Sequence, residues 1–125
     1  MKFFTLAGLI FGAGLFGVGD AAESVTSAPI TAAQPRLVDL GADKCIPCKM
    51  MAPEFAKAAA QTAGQAVFAK LNTEAVPEVG QRLRIQGIPA FILFHQGKEK
   101  DRSSGFQPAP QLLAWAASAL AAGPR

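Results

Sequence analysis

The chain is short of the side chains that build metal and nucleic-acid sites. It has two cysteines and a single histidine, His95. A four-ligand zinc site needs more partners than these easily offer. A haem-attachment motif needs histidine directly after the second cysteine, and Lys49 stands there. Charge is sparse as well. Charged residues make up 17% of the chain, with both signs interspersed and no run of five or more like charges. A net charge of +3 spread in this way gives no nucleic-acid footprint. Internal repeats are absent, and the apolar run at the start is shorter than the roughly 20 residues of a spanning helix.

What is present is the composition of a globular domain: half of the residues are hydrophobic. Part of that half belongs to Met1–Val18, which reads as a secretory signal peptide. Lys2 supplies the positive start, and an apolar run from Phe3 to Val18 follows. Gly19 and Ala21 are small residues placed for a cut after Ala21. An uncleaved membrane anchor is the alternative, weakened by Gly8, Gly12, Gly14 and Gly17 within the run. No cysteine follows the run to take a lipid. Residues 22–35, rich in Ala, Ser and Thr with Pro29, read as a spacer. Residues 36–125 then form one domain, too small for two cores.

Within that domain, Arg36–Leu40 reads as a strand. A helix follows over Cys45–Gln61, with Met50, Met51, Phe55, Ala58 and Ala59 on one face and Pro53 inside it. Gln65–Leu71 reads as a second strand and Thr73–Arg84 as a helix, with Thr73 a candidate cap. Phe91–Phe94 is a buried strand, Gln96-Gly97 a tight turn and Lys98–Ser103 a more polar edge strand. Pro110–Ala122 is the last helix, ended by Gly123 and Pro124. The order β-α-β-α-β-β-α predicts an α/β fold, a mixed sheet flanked by helices. Trp115 is expected to pack in the core of the last helix and His95 to face solvent. Met50 and Met51 are expected to pack the first helix, with Met51 at the border of any substrate groove.

The two cysteines stand three apart, in Cys45-Ile46-Pro47-Cys48 at the start of a helix. A disulfide fits that spacing, but the ring it closes is short and removes little chain entropy. Such a pair suits opening and closing, although a permanent bridge remains the alternative. Unpaired backbone donors and the helix dipole stabilise a thiolate at this place. Cys45, at the very start, gains more than Cys48. Cys45 is therefore the expected attacking sulfur and Cys48 the resolving one.

Here the sequence resembles the thioredoxin family. Cys45-Ile46-Pro47-Cys48-Lys49-Met50-Met51-Ala52-Pro53 is similar to that family's active-site helix. Asp39, six residues before Cys45, falls where thioredoxins place a buried acid, and Lys70 where they place a lysine near it. Gly87-Ile88-Pro89 resembles the segment with their cis-proline, and Gly97 and Gly105 match their glycines. The resemblance runs from about Arg36 to the end. It implies the thioredoxin fold with a shortened N-terminal strand and helix. It also implies that Asp39 accepts the proton of Cys48, that Lys70 tunes Asp39, and that Ile46, Pro47, Ile88 and Pro89 border the substrate. Three positions depart from the family: Lys44 replaces a tryptophan before the first cysteine, Gly41 replaces an aromatic four residues before it, and Ile46 replaces a glycine. They bear on the reduction potential, the docking surface and the reducing partner.

The expected function is thiol-disulfide exchange with cysteine-containing proteins outside the cytoplasm, most simply in a periplasm. Ile88 before Pro89 resembles reductant members, which favours reduction of protein disulfides. No cofactor or metal is expected. The partners implied are protein substrates with disulfides or thiols and an upstream thiol-disulfide electron donor. Nucleic acid is not among them, and a membrane enters only if residues 1–21 stay attached. A monomer is expected. The alternative is a non-catalytic module of the same fold that binds a partner or carries a metal between its two thiolates.

Overall fold

The computed structural model describes residues 22–24, 33–62 and 64–122. The expected signal peptide lies outside them. Eight elements follow in order: β1 (Ala22–Ser24), β2 (Arg36–Gly41), α1 (Ile46–Thr62), β3 (Val67–Asn72), α2 (Pro77–Arg82), β4 (Ala90–His95), β5 (Lys98–Ser104) and α3 (Ala109–Ala121). The strands form one mixed sheet in the order β1-β3-β2-β4-β5. β2 and β3 are parallel, joined through α1, while β4 runs antiparallel to β2 and to β5. β1 lies inside the stretch that reads as a spacer. It pairs antiparallel with β3, Ala22 opposite Leu71, and so adds a strand beyond those expected.

Alternation along the strands makes two faces. Leu37 of β2, Phe68 of β3, and Phe91 and Leu93 of β4 turn towards α1 and α3, where they meet Met51, Phe55, Ala58, Ala109 and Leu112. Phe55 is the centre of this cluster, its ring 5.1 Å from that of Phe68 and 6.2 Å from that of Phe91. Leu40, Ala90 and Ile92 turn to the opposite face, against Leu83 and Ile85. This face of the sheet is thus a packed floor under α1 and α3.

Several sequence expectations are corrected here. α2 begins at Pro77, not at Thr73. The Asn72 side chain accepts the Glu74 N–H at 2.8 Å, a local turn that competes with helix. Val76 precedes a proline and is kept out of helical geometry, at φ −133° and ψ 71°, so Pro77 is the first residue that can be helical. Thr73 is not a cap: its hydroxyl donates to the Gly41 carbonyl at 3.1 Å, tying β3 to β2. Met50 does not pack. It is 56% exposed, because it sits about 100° around the helix from the buried Met51. Met51 itself is fully buried, without surface to offer a substrate. Its sulfur faces the Gln107 N–H at 3.5 Å.

α1 continues through Pro53, whose missing N–H leaves the Lys49 carbonyl without its helical donor. Gln96 and Gly97 both have positive φ, 55° and 78°, as a two-residue β4–β5 hairpin turn requires. Trp115 packs against the core, and its indole N–H donates to Asp101 at 3.1 Å. His95, expected to face solvent, is instead half-buried, with Nε2 3.2 Å from the Ala33 carbonyl oxygen.

Candidate active site

The site is assembled at the end of β2, the start of α1 and the start of β4. β2 ends in Gly41, and the chain turns through Ala42, Asp43 and Lys44. The Cys45 N–H donates to the Ala42 carbonyl at 3.2 Å, closing that turn. α1 then starts at Ile46, so Cys45 occupies the capping position. Its Sγ receives the Cys48 backbone N–H at 3.2 Å, the bond a serine oxygen makes at other helix starts. One of the orphan donors of the helix is therefore aimed at sulfur. Cys45 and Cys48 are joined as a disulfide, with Cα atoms 5.2 Å apart. Both cysteines are half-buried.

Opposite stands the turn into β4. The Ile88–Pro89 peptide is cis, as the resemblance implied. The Ile88 carbonyl oxygen lies 3.9 Å from Cys45 Sγ. The Pro89 carbonyl accepts the Gly105 N–H at 2.8 Å, which fixes the turn against the end of β5. Of the residues expected at a substrate border, Ile46 and Pro47 are exposed, Ile88 is half-buried and Pro89 is buried. Two further apolar side chains flank the site. Met50 is one turn beyond Ile46 on α1, and Phe106 follows Gly105, 43% exposed. Spacing could have found Met50, since it is four residues from Ile46. Phe106 becomes a neighbour only through the Gly105–Pro89 contact.

Beneath the pair, β2 and β3 bring Asp39 and Lys70 into register. Asp39 shares its strand face with Leu37 and is buried at 5% exposure. Burial pushes its carboxyl up from 3.8 to about 6, against the opposing pull of the Lys70 ammonium. Asp39, Lys70 and Cys48 line one cavity of about 460 Å³, together with Gly41, Lys49 and Asn72. The candidate residues therefore form two groups. Cys45, Ile46, Pro47, Ile88 and Pro89 stand on the outer side of the disulfide, and Asp39 and Lys70 on the inner side with Cys48.

A disulfide at a helix start, beside a cis-proline turn and above a buried acid on a mixed sheet, defines a dithiol-disulfide exchange protein. The comparisons agree with that class. The family model for thioredoxin matches residues 22–118. The chain is 38% identical over 77 residues to the thioredoxin of Mycoplasma pneumoniae, covering 62% of this chain and 74% of that protein. It is 38% identical over 82 residues to thioredoxin 1 of Chlorobaculum tepidum, covering 66% of this chain and 81% of that protein. Among solved structures, chloroplastic thioredoxin z superposes with a TM-score of 0.63 at 29% identity, covering 72% of this chain and 81% of that one. The chain belongs to the thioredoxin family. It is a thiol-disulfide oxidoreductase, and Cys45 and Cys48 are its redox pair. The family match begins at residue 22, so β1 falls within the matched domain.

Proposed function

We propose that this protein is exported and reduces disulfides of other proteins outside the cytoplasm, most simply in a periplasm, as a monomer. The observation that carries the mechanism is the capping geometry of Cys45. In the reduced protein, the Cys48 N–H and the start of α1 stabilise negative charge on Cys45 Sγ. The Cys45 thiolate attacks one sulfur of a substrate disulfide, and the other substrate sulfur leaves as thiolate. Cys48 gives its proton to Asp39 and attacks Cys45 Sγ. The Cys45–substrate bond breaks, reduced substrate departs, and the closed pair of this structure results. An upstream thiol-disulfide donor reopens it.

Asp39 suits its part because a carboxyl with a pKa of about 6 is poised to exchange a proton near neutral pH. The exposed Ile46 and Met50, with Phe106 beyond the Pro89 turn, offer an apolar rim to an extended substrate segment. Pro47, Ile88 and Pro89 complete that border. Reduction is favoured by Ile88 before Pro89. Export is supported by the positively started apolar run Met1–Val18 with small residues before Ala22.

The deciding experiment is a trap. Cys48→Ala incubated with a disulfide-containing protein such as insulin should accumulate a covalent adduct through Cys45, released by dithiothreitol and absent from the Cys45→Ala/Cys48→Ala chain. Failure to form any adduct would count against the mechanism.

A further inference from the structure

The inner side of the disulfide is open. Gly41 ends β2 directly against Cys48: a Cβ at this position would stand 3.2 Å from Cys48 Sγ and 3.4 Å from its Cβ. No side chain from Gly41 covers the sulfur. The cavity of about 460 Å³ lies there, walled by Gly41, Asp43, Lys49, Lys70 and Asn72 with Asp39 at its floor, and Cys48 lines it. Its volume falls within the few hundred to a thousand Å³ of small-molecule sites. It lies on the other side of the disulfide from Cys45 and Pro89, where the proposed protein substrate docks. Two ammonium groups and two carboxyls line the wall, so a small ligand carrying both signs of charge is matched.

The chemistry of the pair favours attack at this sulfur. When a thiolate opens a disulfide, the better leaving group is the sulfur that best holds negative charge. That sulfur is Cys45, which receives the Cys48 N–H at the start of α1. Attack at Cys48 expels Cys45, whereas attack at Cys45 must expel Cys48. Only steric access can withhold the first route, and the cavity supplies it.

We propose that this pocket admits a low-molecular-weight thiol of glutathione's size and charge to Cys48, giving the oxidised pair a route of reduction separate from the protein-docking side. The proposal rests on the redox reading of the Cys45–Cys48 pair. In the first step the small thiolate bonds Cys48 Sγ, the Cys45–Cys48 bond breaks, and Cys45 leaves with the electron pair as thiolate. In the second step another small thiolate attacks the small-molecule sulfur of the mixed disulfide. A small disulfide forms and Cys48 departs as thiolate, taking a proton from the medium or from protonated Asp39. Two small thiols are oxidised and the protein disulfide is reduced.

The same exchange run in reverse isolates each sulfur. Full-length Cys45→Ser and Cys48→Ser chains are mixed with oxidised glutathione at alkaline pH, and uptake of one glutathione is timed by intact mass. The Cys45→Ser chain should react at no less than about one-thirtieth of the rate of the Cys48→Ser chain, and a slower reaction overturns the proposal. Adding Gly41→Ala should slow the Cys45→Ser chain by about fivefold or more while leaving the Cys48→Ser chain within about twofold, and a smaller selective slowing overturns it. If Gly41→Ala fails to fold, Lys49→Glu on the Cys45→Ser chain decides. It should lower the rate with anionic oxidised glutathione relative to cationic cystamine by about threefold or more, and an unchanged ratio overturns the proposal. Insulin reduction by the wild-type protein with dithiothreitol, run alongside, reports on the redox reading by itself.

Discussion

Cys48 donates its backbone N–H to the sulfur of Cys45, 3.2 Å away. One residue of the pair thus aims a backbone donor at the sulfur of the other before any substrate arrives. That asymmetry between the two sulfurs leads to the first expected outcome.

In the reduced protein, Cys45 should be alkylated well before Cys48 at mildly acidic pH, by about tenfold with iodoacetamide. Peptide mapping after a short pulse checks it. Equal labelling of the two would mean that the helix start gives Cys45 no advantage.

The pair should equilibrate with defined thiol buffers near roughly −270 mV, the range of a reductant that needs an upstream electron source. A value near −120 mV would mark an oxidant instead, and would turn the substrate search towards exported proteins with unpaired thiols. Ile46, Lys44 and Gly41, the three departures around the pair, are the positions to revert if the potential lies between.

Asp39 makes stability depend on pH in a defined direction. Its folded pKa of about 6 lies above the ordinary 3.8, so the native state binds its proton more tightly than the unfolded chain does. Stability is greatest below pH 3.8 as far as this group is concerned, falls between there and about 6, and is flat above. Asp39→Asn should remove that slope and raise stability at neutral pH by up to about 3 kcal/mol. Urea unfolding at several pH values measures it. The same variant should slow release of reduced substrate, since Cys48 loses its proton acceptor. A pH slope that survives the substitution would place its origin elsewhere.

Phe55 holds the helix that carries Cys48 and that Cys45 caps. It is fully buried and its ring meets Phe68 and Phe91 from two strands. Phe55→Ala should cost about 3–5 kcal/mol, read as a lower denaturation midpoint. Phe55→Leu should cost much less, because it keeps most of the volume.

The Cys45–Cys48 pair with its helix was legible in the sequence because its determinants are local: a three-residue spacing, a following apolar period and a proline within one segment. The strands β2, β4 and β5 and the turn at Gln96-Gly97 were legible for the same reason. The start of α2 was not legible because Thr73 is a residue type that caps helices, while the Asn72 side chain and Pro77 decide where helical geometry can begin. Met50 was assigned to the core because helical periodicity gives a face but not its width. β1 was missed because a three-residue edge strand carries too short a pattern to read, and its pairing depends on β3, some 47 residues later.

By itself, then, the sequence determined the order of the main elements and the cysteine pair at a helix start, since its spacing and the backbone donors there follow from local geometry. Tertiary structure decided what surrounds that pair. Sheet register set Lys70 beside Asp39, and burial raised the Asp39 carboxyl, because desolvation depends on what covers a group and not on its neighbours in the chain. The Gly105–Pro89 contact set the exposed Phe106 next to the cis-proline turn. The missing side chain at Gly41 became an open pocket only because β2 ends against Cys48, a distance that no spacing along the chain encodes.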